Sequence, residues 1–362
     1  MKKTQGITKL SVAGFKSIAS EITLDIKPLT LLAGANSSGK SSFMQPLLLL
    51  KQTLEAPYAP SGLLLLNGEN VKFTLYEQMF SKGCDKFTFR IDVPPEYCSA
   101  SFEKISGQKE KISGFISSFN NRTRQIVCQV LHVPGLRGNP ERVYQATGTG
   151  PDFPKRFEYY TASIIASWAE TKSDKLDELC QNLSRLGLTS KISAKRLNDA
   201  QIEVMVNRLP KNGRNRTDMV NIADVGFGVS QTLPILVALL TAESGQLVYL
   251  EQPEIHLHPR AQQTLAEILV EAANRGVKVV AETHSALLLI TLQTLVAKRQ
   301  ISTDIVALHW FQRDKNGTTE VSTAKLSEKG TFGNWPVDFG KVELEAEGNF
   351  IDAVASARKG TK

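Results

Sequence analysis

The segment Gly34-Ala35-Asn36-Ser37-Ser38-Gly39-Lys40-Ser41 matches G-x-x-x-x-G-K-[ST] at every fixed position. Few short patterns restrict a fold as tightly, because the loop works only between a buried strand and a helix N-terminus. Both are legible here. Lys27 to Ala33 is a short apolar stretch that reads as a buried strand, and Ser42 to Leu50 reads as a helix. The glycines let backbone N–H groups turn inward as an anion nest. Lys40 is then expected at the β- and γ-phosphates and the Ser41 hydroxyl on magnesium. Gly34, Ala35, Asn36, Ser37, Ser38, Gly39, Lys40, Ser41 and Ser42 are therefore the candidate nucleotide-binding residues, with a nucleoside triphosphate and Mg2+ the implied ligands.

The 362-residue chain is 41% hydrophobic and 22% charged, enough for a sizeable core in two average domains or one large α/β domain with an insertion. The stretch Met1 to Lys9 has no apolar h-region, so no secretory signal is expected. The longest apolar runs, Leu47–Leu50 and Leu63–Leu66, are too short to span a bilayer. Cys84, Cys98, Cys128 and Cys180 form no C-x-x-C pair, which suits a reducing cytoplasm and argues against structural zinc. A cytoplasmic protein without a membrane partner is expected. The net charge of +7 suits a polyanionic partner such as nucleic acid, although bound nucleotide phosphates would also absorb it.

Alternating apolar and polar residues predict two antiparallel strands at Ile7–Val12 and Ile22–Ile26, with Gly14-Phe15-Lys16-Ser17 between them. A strand is expected at Phe87–Val93, another at Gln125–Leu131, helix over 154–186, and strand again at Ala200–Val206. After residue 228 the rhythm is regular: helix at 229–243, strand at Gln246–Leu250, helix at 259–275, strand at Val277–Ala281, helix at 285–298, strand at Asp304–Trp310. Such alternation implies a parallel sheet with helices on its faces.

Three more elements fall on this frame. Leu247-Val248-Tyr249-Leu250 ends in Glu251, the Walker B arrangement, and the strand is expected beside the phosphate-loop strand with Glu251 holding magnesium. Val279-Val280-Ala281-Glu282-Thr283-His284-Ser285 ends a core strand with a histidine at the crevice edge, where His284 can reach a γ-phosphate. Asp224 to Gln231 places Gly226, Gly228, Ser230 and Gln231 just before a helix, where backbone N–H groups can bind phosphate.

In this order the elements resemble ABC-type ATPase heads, and in detail the SMC/RecF/OLD branch rather than transporters. Gly14-Phe15-Lys16-Ser17 is similar to that branch's N-terminal Gly-Phe-Lys-Ser/Asn element, and Asn36-Ser37-Ser38 to its phosphate loop. Glu251-Gln252-Pro253-Glu254-Ile255-His256-Leu257-His258-Pro259 is similar to its Glu-Glu-Pro-Glu-x-His-Leu-His-Pro box. Leu136–Tyr144 and Gly333–Gly340 resemble a group of stand-alone AAA-type ATPases within the branch.

The resemblance implies a P-loop ATPase head with a mainly parallel central sheet and an N-terminal antiparallel layer. It further implies an ATP-sandwiched homodimer in which the loop of one subunit and Gly226–Gln231 of the other close on one nucleotide. The expected division is 1–94 and 221–345 for the ATPase domain, 95–220 for an inserted, partly helical lobe, and 346–362 for a tail. Glu251, Gln252, Glu254 and His284 are the candidate catalytic residues; Ser41 and Glu251 are the candidate metal ligands.

Three departures matter. Gln252 stands where such heads carry the glutamate that activates water. A glutamine cannot accept a proton, so hydrolysis is expected to be slow, or Glu254 supplies the carboxylate. Phe227-Gly228-Val229-Ser230-Gln231 departs from Leu-Ser-Gly-Gly-Gln. The tail Lys341–Lys362 lacks the Asp-x-Asp pair of a Toprim nuclease, so a nuclease or toxin effector would be a separate polypeptide. The expected function is a dimeric, nucleotide-driven switch acting on DNA or an effector, in anti-phage defence. The alternatives are a DNA-repair or chromosome-maintenance ATPase and a slowly hydrolysing scaffold that sequesters an effector.

Other constellations carry less. His256 and His258 flank Leu257 but read as a loop after Walker B rather than a metal pair. Asn207 to Arg216 holds four basic residues around a turn, either a solvated hairpin or a nucleic-acid contact. Arg137 and Arg142 fit trans-acting phosphate contacts and core ion pairs equally.

Overall fold

A computed structural model describes residues 6–56, 64–105, 108–117, 120–150, 152–208, 218–333 and 348–350. The chain opens with strands β1 (Lys9–Ala13), β2 (Ile22–Asp25) and β3 (Leu29–Gly34), then helix α1 (Lys40–Glu55). A meander follows: β4 (Lys86–Val93), β5 (Glu96–Ile105) and β6 (Gln108–Ser117). Next come α2 (Asn121–Cys128), β7 (Leu131–Val133) and β8 (Tyr144–Gln145). Helices α3 (Thr161–Glu170) and α4 (Asp174–Arg185) precede β9 (Ile192–Asn198), β10 (Gln201–Asn207) and β11 (Met219–Asn221). The last part alternates: α5 (Phe227–Thr241), β12 (Leu247–Glu251), α6 (Pro259–Asn274), β13 (Lys278–Thr283), α7 (Ala286–Ala297), β14 (Val306–Arg313) and β15 (Thr319–Ala324).

The central sheet runs β15-β14-β3-β13-β12-β7, parallel throughout except for the β14–β15 hairpin. Its parallel strands are buried on both faces, as parallel strands between helices are, while β15 is largely exposed. Leu29, Leu31, Ala33, Val248, Leu250, Val279 and Ala281 join one apolar cluster with α3–α7. Leu32, Leu247, Tyr249 and Val280 face the other way, onto α1 and the antiparallel sheet β2-β1-β4-β5-β6. The carboxyl ends of β3, β13 and β12 share one edge, where open α/β sheets bind ligands.

Several expectations are corrected. The Walker B strand β12 is not beside the phosphate-loop strand: β13 lies between them, in register with both. The strand expected at Gln125–Leu131 is mostly helix α2. The Asn120 side chain accepts the Thr123 N–H at 2.8 Å, an N-cap. Thr123, Val127 and Val130, spaced i, i+4, i+7, are the fully buried positions, so the helical period outweighs the alternation. The helix expected over 154–186 breaks at Lys172 (φ 50°), with Ser173 capping α4. β4 and β5 are paired across residue 95, from Lys86↔Glu103 to Val93↔Glu96.

The part of the basic turn at 209–217, the Asn334–Gly340 segment and the tail apart from 348–350 lie outside the described residues. Arg208, at the start of that turn, forms a forked pair with Asp218. No helix among the described residues is long and apolar enough to cross a membrane.

Candidate nucleotide site

The phosphate loop is built from the glycines outward. Gly34 has φ 141°, and a Cβ there would sit 2.1 Å from the Phe311 carbonyl on the neighbouring strand. Gly39 has φ 110°, and its Cβ would meet the Thr319 hydroxyl at 2.3 Å. Neither position tolerates a side chain. Thr319 braces the loop from the β15 side, its Oγ1 donating to Ser38 O at 2.8 Å and lying 2.8 Å from Ser17 Oγ. Arg313 Nε donates to Ser37 O at 2.6 Å. The loop thus stands on the hairpin β14–β15 and the turn Gly14–Ser17.

A cavity of about 360 Å3 opens over this loop. Residues 36–42 line it with Gln252 and His284; Lys16, Ser17, Glu282 and Arg313 complete the wall. Lys40 Nζ donates to Gly34 O (3.0 Å) and Ala35 O (2.8 Å). Burial lowers its pKa, opposed by the charges of Glu282 and Glu254. His284 is held below its ordinary pKa, first by burial and then by the Lys40 charge, so the ring is neutral near pH 7.

Glu282 was not expected in this wall. It is 2% exposed, and its Oε2 accepts the Ser41 hydroxyl at 2.8 Å while its Oε1 accepts the Tyr249 hydroxyl. Burial pushes its carboxyl up to about 7, assisted by the Glu251 charge and opposed by the hydrogen bonds from Tyr249 and Ser41. A sequence signal existed: an acid directly before Thr283-His284 on an otherwise apolar strand must be partnered.

The other candidates lie outside the cavity. Glu251 sits 3.1 Å from His132 Nε2 through Oε1 and accepts the Gly135 N–H at 3.1 Å through Oε2. Burial alone would raise its pKa, but His132 and the Gly135 N–H bring it below the usual value. Glu254 is buried beneath the histidine turn, its Oε1 accepting Thr283 Oγ1 (2.9 Å) and the His284 N–H (2.7 Å). That location argues against Glu254 as the carboxylate reaching the nucleotide.

Gly226, the N-cap residue of α5, Gly228, Ser230 and Gln231 are also absent from the loop cavity. Gln231 is 5% exposed and donates to Gly138 O at 2.7 Å; Ser230 borders a separate cavity of about 650 Å3 with Arg137 and Gly138. Phe227, by contrast, is half exposed. Arg137 is a buried staple, donating to Pro134 O, Gln231 O, Glu251 O and Gln252 O at 2.8–2.9 Å, with burial lowering its pKa to about 10. Arg142 instead forms an exposed pair with Asp224.

Sheet order, phosphate loop and histidine turn define the head of a P-loop ATPase. A family model described as "AAA ATPase domain" matches residues 6–132, and one described as "AAA domain, putative AbiEii toxin, Type IV TA system" matches 148–290. The Old nuclease of Escherichia phage P2 is 24% identical over 394 aligned positions, covering 90% of this chain and 62% of that protein. The chain therefore spans less than two thirds of that relative. The crystal structure of an SmcHead bound to the C-winged helix domain of ScpA superposes with a TM-score of 0.56 at 12% identity, over 89% of this chain and 98% of that one. Together these matches support an SMC/OLD-like, ABC-type AAA ATPase.

Proposed function

We propose that the chain binds Mg2+·ATP in the loop cavity, hydrolyses it slowly, and works as an ATP-sandwiched homodimer that switches a separate effector or DNA in defence against phage. The carrying observation is the cavity wall: Lys40, Ser41, Gln252 and His284 converge on one space over the phosphate loop. Lys40 and the loop amides suit the phosphates, and the neutral His284 ring suits a hydrogen bond to the terminal phosphate.

The donor set fits Mg2+. Ser41 Oγ and Glu282 Oε2 are hard oxygen donors in contact. Among the described residues no group of three or more His, Cys, Asp or Glu forms a cation cage. Mg2+ commonly takes one or two protein oxygens and completes its shell with phosphates and water. When bound, it would neutralise phosphate charge; this chain's own residues orient the nucleotide and its attacking water.

A second subunit is favoured because Gly226–Gln231 does not border its own chain's cavity, while Phe227 beside it is half exposed. Molecular mass is measured with and without ATP on a Gln252→Ala variant. A monomer in both conditions would remove the dimer from the reading.

Gln252, at the cavity with φ 44°, favours a second reading, an ATP-held scaffold with little turnover. Single-turnover hydrolysis with and without DNA separates the two, and DNA-stimulated turnover would point to repair or chromosome maintenance.

A further inference from the structure

Two acidic side chains stand next to each other at the crevice edge. Glu251 and Glu282 are register partners across the parallel strands β12 and β13. Two residues back, Tyr249 and Val280 both pack in the cluster around α1, so by strand alternation Glu251 and Glu282 share that face. Like charges in such a pair repel, and each needs compensation of its own.

They find it in different places. Both oxygens of Glu251 are engaged away from the cavity, by His132 and the Gly135 N–H. Glu282 borders the cavity with Lys40 and Ser41, and its Oε2 lies 2.8 Å from Ser41 Oγ. Adjacent ligands of an octahedral Mg2+ at about 2.0–2.1 Å stand roughly 2.9 Å apart. The serine and the carboxylate are already at that spacing. Ser41 donates its proton to Glu282, so the lone pairs of its oxygen remain available to a cation. The Tyr249 hydroxyl holds the other oxygen of Glu282 and fixes the carboxylate's direction.

We propose that Glu282 is the protein carboxylate of the magnesium site beside Ser41, and that Glu251 instead anchors the end of β12 through His132 and Gly135. The proposal rests on the ATP-binding reading above. It reassigns the metal contact from the strand that ends in the Walker B acid to the strand that ends in the histidine.

The test uses the full chain, a fluorescent ATP analogue, and Mn2+ as a paramagnetic stand-in for Mg2+. Nucleotide affinity is first measured in EDTA; Mn2+ binding to the nucleotide-saturated protein is then followed by electron paramagnetic resonance. With each variant saturated in nucleotide, Glu282→Gln should lose about 10–100-fold in Mn2+ affinity. Glu251→Gln should leave Mn2+ affinity unchanged. Wild-type Mn2+ affinity in Glu282→Gln, or the loss appearing in Glu251→Gln, overturns the proposal. Should Glu282→Gln not fold, as read by thermal melting, Glu282→Asp retracts the carboxylate by one methylene and must show the Mn2+ loss. A wild-type chain that binds no nucleotide in either condition overturns the ATP-binding reading together with the proposal. Nucleotide binding without a Glu282 effect overturns the proposal alone.

Discussion

The backbone N–H of His284 donates to Glu254 Oε1 at 2.7 Å, and the same oxygen accepts the Thr283 hydroxyl at 2.9 Å. A carboxylate three residues beyond the Walker B position therefore sets the turn that presents the histidine. Its second oxygen has no hydrogen-bond partner among the described residues, so the side-chain bonds of Glu254 all go to that turn.

Removing the carboxylate should act through the histidine. Glu254→Ala leaves the buried His284 N–H unpaired, which costs about 1–3 kcal/mol. Turnover is expected to fall as far as in His284→Ala, and the double variant should fall no further. Independent, additive losses in single-turnover hydrolysis would show that Glu254 acts elsewhere.

Glu254 also carries a pH signature. Burial raises its pKa above the ordinary 4.5, against the hydrogen bonds from His284 and Thr283. An acid whose pKa rises on folding holds its proton longer in the folded chain. Stability is therefore greatest below 4.5 and falls as pH rises through the folded value, then levels. Glu282, Glu55 and Glu158 slope the same way, so only the difference between variants is informative. Metal-free melting of Glu254→Gln should decline less steeply than wild type from pH 5 upward; parallel curves would contradict the assignment.

Gln252→Glu should accelerate hydrolysis. The glutamine lines the cavity but cannot accept a proton, and a glutamate of the same length can. A general base contributes about 10²–10⁴-fold. Turnover is expected to rise by about 10²-fold or more, with nucleotide affinity in EDTA unchanged. Unaltered turnover would show that proton abstraction at this position does not limit the rate.

Arg137→Met should destabilise the chain while sparing nucleotide binding. It strands carbonyls of Pro134, Gln231, Glu251 and Gln252 that now share one guanidinium. A buried acceptor left unpaired costs about 1–3 kcal/mol, so the loss read by denaturant unfolding should be at least that size. A loss of ATP affinity larger than the loss of stability would instead place Arg137 at the nucleotide.

The legible parts of the sequence were those with local rules. The phosphate loop, the α/β alternation after residue 228 and the position of His284 follow from glycine geometry, apolar period and strand ends. What could not be read was set by neighbours distant in the chain. Gln125–Leu131 alternates like a strand, and its packing against the α1 layer, with the Asn120 cap, favours the helix. Glu282 looks like a stray acid until Ser41, 241 residues away in sequence, donates to it. Arg137 offered no pattern, because its partners are backbone carbonyls on three separate segments. Strand order was equally hidden, since alternation gives the number of parallel strands and not that β13 intervenes between β3 and β12.

Arg137 has one further consequence. Its guanidinium ties the first turn of α5 to the end of β12, so two segments far apart in sequence cannot shift independently. One end borders the chain's own nucleotide cavity at Gln252; the other carries the half-exposed Phe227. A single guanidinium thus joins the edge of the loop cavity to the helix that reaches the outer surface, through backbone carbonyls alone.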